Sequence, residues 1–134
     1  MTTLAFTCPD CGEAGEKRIG QDPSPRRVEW FGSFACARCG AVYEEDGWGE
    51  LPSGWREALI AQEGEWELRV QPVRTGIVLK VLRAALGLTL VELGQLKERL
   101  PGAPCVGTRA EMEHLRLRLA EAGETAKVVS VEQA

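Results

Sequence analysis

Two short cysteine pairs set the tightest limit on what this chain of 134 residues folds into. Cys8-Pro9-Asp10-Cys11-Gly12 and Cys36-Ala37-Arg38-Cys39-Gly40 share one spacing, two residues between the cysteines and a glycine after them. That spacing lets both thiolates of a turn face one ion, and the glycine permits the positive φ such a turn requires. Two turns of this kind supply the four soft ligands of a tetrahedral zinc site with no open position. The 24 residues from Gly12 to Ala35 leave room for a hairpin arm between them. A dithiol redox pair is the alternative, but it belongs in a βαβ pattern, and neither unit lies in one. The expected cofactor is therefore one structural Zn2+ on Cys8, Cys11, Cys36 and Cys39, holding the fold and activating no water.

Short aromatic or β-branched runs flank both turns. Leu4 to Thr7 leads into the first, Trp30 to Phe34 into the second, and Ala41 to Tyr43 out of it, all with strand character. Residues 1–45 resemble the zinc-ribbon class, whose CPxCG knuckle stands here once in full and once with Ala37 in place of proline. That resemblance implies metal and fold, but no particular partner.

Glu44 to Pro52 is acidic and rich in turn formers, and is expected to be a linker. Ser53 occupies an N-cap position, and Gly54 to Glu63 has helical composition that Gly64 stops. Residues 46–65 are thus expected to be a linker plus a connecting helix packed with the following domain. Trp66 to Val70 alternates apolar with charged residues, as a half-buried strand does. From Gly76 the period becomes helical, with Ile77, Val78, Val81, Leu82 and Ala85 on one face and Lys80 and Arg83 on the other. Thr89 with Glu92 forms a capping box before a helix whose expected core stripe is Leu90, Leu93, Leu96 and Leu100. Thr108 with Glu111 repeats the box before a third helix carrying Met112, Leu115 and Leu119, and Ala126 to Val131 has strand character.

Over about residues 66–131 the chain resembles the C-terminal domain of the bacterial ribosomal stalk protein. The similarity rests on Val78-Leu79-Lys80-Val81-Leu82-Arg83, Gly87 to Glu92, Gly107 to Glu111 and Leu119 to Gly123. It implies an α+β fold of three helices on a three-stranded sheet over 66–134, in addition to the hairpins of the ribbon. It also implies a surface on the first two helices that recruits translational GTPases through basic residues. Lys80 and Arg83 stand at two of those basic positions, whereas Val91 and Gly94 stand where the family has lysines. Losing two charges weakens steering toward an acidic partner. A glycine inside a helix costs about 1 kcal/mol relative to alanine, so close approach of a partner or of a neighbouring element is expected at Gly94.

Charge separates along the chain. Residues 1–50 carry five basic and nine acidic side chains, 51–70 two and four, and 71–134 nine and seven. The overall net charge of -4 argues against coating nucleic acid by bulk charge. The Arg26-Arg27 pair beside Trp30 and Phe31 keeps binding of single-stranded nucleic acid as an alternative. Catalysis finds little to build on. His114 is the single histidine and is expected at a rim, and Cys105 is expected to be a small buried hydrophobe. The chain is therefore expected to be no enzyme and to take no small-molecule substrate. Neither an apolar run of spanning length nor a signal peptide is apparent, so a cytoplasmic protein without membrane contact is expected. The leading expectation is a protein-interaction module that uses Lys80, Arg83, Val91, Gly94 and an exposed Trp48. Its partner would be a toxin neutralised by an immunity protein or, alternatively, a translational GTPase recruited by an accessory factor.

Overall fold

A computed structural model describes residues 1–133; Ala134, at the end of the expected second domain, lies outside the described residues. The chain is a mixed α+β protein with four helices and two antiparallel sheets.

The first sheet is a meander of β1 (Thr2–Thr7), β2 (Ala14–Pro23), β3 (Val28–Ala35) and β4 (Val42–Trp48), in that spatial order. The cysteine turns make the β1–β2 and β3–β4 connections. In this sheet Phe31 stands opposite Gly20 and Trp30 opposite Gly47 in cross-strand pairs. Each ring lies where a Cβ on its glycine would stand, so these positions have no room for a side chain.

β4 corrects the expected linker. Glu44, Glu45 and Asp46 pair with Ser33, Gly32 and Phe31 instead of forming a free connection. Composition misleads here because β4 is an edge strand, where charge is tolerated and discourages pairing with other chains. The acids also find local partners: Lys17 reaches Glu45 at 2.6 Å.

The apolar face of the helix α1 (Trp55–Glu63) packs on this first sheet, where packing with the second domain is expected from the sequence; α1 reaches that domain through the polar contact of Arg56. Trp55 and Leu59 bury with Ile19, backed by Leu4, Trp30 and Ala58. At its far end the Gln62 side chain exchanges two hydrogen bonds with the Thr3 backbone on the sheet edge. The cap is Gly54 in the left-handed region (φ 85°), with no side-chain hydrogen bond, and not Ser53. A turn closed by Trp55 N–H on the Pro52 carbonyl delivers the chain directly into the helix.

The second sheet has the order β6-β5-β7, formed by β5 (Trp66–Val70), β6 (Gly102–Gly107) and β7 (Ala126–Ser130). Helices α2 (Thr75–Leu86), α3 (Leu90–Lys97) and α4 (Arg109–Glu121) complete this region, and a 3-10 turn (Val131–Gln133) follows β7. Leu68, Val70, Val78, Leu82, Leu96, Met112, Leu115 and Leu119 form one buried core. Both capping boxes are present in full, with Thr89 and Thr108 each accepting from the backbone N–H of the glutamate three residues on. The stripe expected on α3 is not all buried. Leu96 is interior, but Leu90 is 69% exposed, because only the C-terminal end of this eight-residue helix reaches the core.

The two regions touch through α4. Thr108 Oγ1 donates to Gln21 Oε1 at 2.7 Å, and His114 Nδ1 donates to the Ser24 carbonyl at 2.6 Å. Arg56 of α1 forks onto the Glu111 carboxylate at 3.0 and 3.2 Å.

Candidate metal centre

The two cysteine turns adopt the same backbone geometry. In each, the glycine N–H bonds to the carbonyl of the first cysteine, Gly12 to Cys8 at 2.8 Å and Gly40 to Cys36 at 3.0 Å. The first cysteine's own N–H bonds to a carbonyl five residues on, at Glu13 and at Ala41. Both glycines have positive φ, 77° and 79°, as the sequence pattern requires. The turns face each other and bring the four sulfurs within 4.8 Å of one another. Cys8 and Cys39 stand 3.7 Å apart, and Cys11 and Cys36 3.5 Å. A regular tetrahedron with metal–sulfur bonds of about 2.3 Å has sulfur–sulfur edges of roughly 3.8 Å. The four cysteines are thus positioned to bind one metal ion, and four thiolates are compatible with a structural zinc.

Backbone N–H groups favour the thiolates, and the crowding of four sulfurs opposes them. The Cys36 thiol is pulled down to about 7, first by the backbone N–H of Cys39 and then by that of Arg38. Cys11 moves to about 12: the Glu13 N–H favours its thiolate, but desolvation and the three neighbouring sulfurs outweigh it. Sulfurs packed this closely ionise together only with positive charge among them. Around the centre, Phe6 and Phe34 meet edge to face with centroids 4.7 Å apart, and Tyr43 closes one side. Tyr43 donates to Asp10, which holds its phenol up near 12, and Arg38 bonds Glu13 at 3.2 Å across the two turns.

The remaining sequence-derived candidates fall in three places. Lys80 and Arg83 line one open groove of about 740 Å3 between α2 and α3, with Leu79, Leu88 and Leu93. Val91 is 73% exposed on α3 outside that groove, beside Leu90, and Leu86 ends α2 43% exposed. Gly94 is exposed too, and among the described residues nothing lies within 4 Å of where its Cβ would stand. Among the described residues no neighbouring element makes the close approach expected there. Trp48 lies elsewhere, 63% exposed at the end of β4, with the Arg27 guanidinium 5.2 Å from its ring centroid. Cys105 is buried in the second core, which raises its thiol to about 11 by desolvation.

One residue with a structural role carried no sequence signal. Glu124 is wholly buried and accepts from the N–H groups of Val73 and Arg74 at 2.9 and 3.2 Å, pinning the entry of α2 to the α4–β7 turn. No local pattern marks it, because its partners lie fifty residues away.

Comparison of the chain with protein-family models, with curated proteins and with solved structures gives no match in any of the three. No helix among the described residues is long and apolar enough to cross a membrane.

Proposed function

We propose that this chain is a non-catalytic, zinc-stabilised protein-binding module. In this reading the first sheet, with α1 packed on it, is a zinc ribbon, and residues 66–134 are a domain like the C-terminal domain of the ribosomal stalk protein. Four thiolates close the coordination sphere, so the ion serves structure, and zinc suits a site of four soft ligands. The observation that carries the binding role is the exposed surface of α2 and α3, which carries Leu86, Leu90 and Val91 together with the groove lined by Lys80 and Arg83. Apolar side chains at 43–73% exposure, on the same two helices as exposed cations of an acidic chain, fit a partner with an acidic rim around an apolar anchor.

Two partners fit that chemistry. Val91 and Gly94 replace the cations that stalk proteins use toward translational GTPases, which favours a redirected surface, such as that of a cytoplasmic bacterial immunity protein holding a toxin. Lys80 and Arg83 support the translation-associated alternative. Affinity capture from the native cell on the full chain is expected to retrieve one protein stoichiometrically. A Lys80→Glu/Val91→Glu variant with an unchanged melting temperature is expected to lose it. A captured toxin domain supports the first partner, and an elongation factor the second. Capture of equal strength by both forms of the chain overturns the proposal.

A further inference from the structure

A second concave site lies between the two regions, away from the metal centre and bordering the α2–α3 face at Leu86. It is a cleft of about 670 Å3, within the range of small-molecule sites. Its walls come from the β2–β3 turn, the start of α1, the end of α2, α3 and the residues after it, and α4, and these bring Arg26, Arg27, Arg56, Arg99 and Arg118 to one cavity. Only Glu92 and Glu111 oppose them among the lining residues, and both are engaged: Glu92 bonds the Thr89 N–H of its capping box, and Glu111 is held by Arg56 and the Thr108 N–H. Arg27 pairs with Glu29, and Arg99 donates to the Pro104 carbonyl. Arg26 and Arg118 form no ion pair among the described residues.

Five cations in one cleft run against the charge of a chain that is -4 overall. Like charges gathered around one concave site focus a positive potential, which a bound anion relieves. All of the formally charged basic residues lining it are arginine, whose planar fork meets phosphate oxygens two at a time. The floor is apolar, with Leu96, Met112 and Leu115, and at the mouth the exposed Trp48 ring offers a stacking surface.

We infer that this cleft binds a phosphate-bearing ligand of nucleotide size, with phosphates on Arg26 and Arg118 and the planar ring against Trp48. The site adjoins the protein-binding face at Leu86, and its arginines are distinct from Lys80 and Arg83. Its ligand is either a free nucleotide or one nucleotide of a single-stranded RNA, since both present the same chemistry.

Isothermal titration of the full, zinc-loaded chain with ATP, pyrophosphate and a uridine hexanucleotide tests the inference. At least one phosphate probe is expected to bind, more weakly as salt rises. Arg26→Glu/Arg118→Glu is expected to weaken it by at least about tenfold, the loss of one or two charge-assisted bonds. Lys80→Glu/Arg83→Glu is expected to leave it unchanged. Single Arg26→Ala, on an exposed turn, gives the same direction should the double variant fail to fold. Trp48→Ala is expected to weaken the nucleotide probes but not pyrophosphate. Tight ATP binding marks a free nucleotide as the source, and binding of the hexanucleotide alone marks a strand; either supports the site. No binding by any of the three at about 1 mM, affinity indifferent to the arginine substitutions, or preference for a polyglutamate peptide overturns it.

Discussion

The two regions of this molecule reach a fixed structure by different means. The second buries ten residues in one continuous apolar core, where Leu68, Val78, Leu82 and Leu119 are fully excluded from water. The first has no such core. Its buried apolar residues fall into two groups of three, one around Cys8, Phe34 and Cys36 and the other around Ile19, Trp55 and Leu59. Two of the first group are metal-ligand candidates, so that end of the sheet has little to hold it when the thiolates lose their ion. Hydrophobic burial suffices for one region, and the other needs a cross-link near its tip.

That contrast can be broken most severely at the cysteines. Cys8→Ser or Cys36→Ser is expected to abolish stoichiometric zinc, measured by elemental analysis, and to remove on the order of 10 kcal/mol of metal-linked folding energy from the first region. An unchanged thermal melt would contradict the contrast. The converse change, Leu82→Ala, is expected to cost about 2–5 kcal/mol in denaturant unfolding while leaving zinc content at one per chain. Glu124→Ala tests a polar contact in the same region. It leaves two backbone N–H groups near buried surroundings without their acceptor, and a loss of about 2–3 kcal/mol is expected by the same measurement.

The smallest effects sharpen the boundary between the regions. Thr89→Ala and Thr108→Ala each remove a helix cap, worth about 1 kcal/mol. Thr108 Oγ1 also donates to Gln21 on the first sheet, whereas Thr89 has no such bond among the described residues. Thr108→Ala is therefore expected to cost more than Thr89→Ala, by up to about 1 kcal/mol, and Gln21→Ala should remove the difference.

What could be read from the chain alone follows the range of the interactions involved. The cysteine turns and both capping boxes were legible because each is complete within five residues. The strand at Trp66–Val70 was legible because its alternation is local. The acidic β4 was not, since its strand character comes from Trp30 across from Gly47 and from Lys17 beside Glu45. Leu90 fits a helical period but lies beyond the reach of the core, so period without tertiary position misplaced it. Of the candidate site, the four metal ligands were legible as a set. The arginine cleft was not, because its five members are spread between positions 26 and 118 and meet only when α4 docks on the β2–β3 turn.

Hydrogen–deuterium exchange on the full chain, before and after removal of the metal by a strong chelator, tests the central contrast most directly. Loss of protection across Thr2–Trp48, with protection kept in β5, α2 and α4, is the predicted result. Equal loss in both regions, or protection of Thr2–Trp48 that survives chelation, would contradict it.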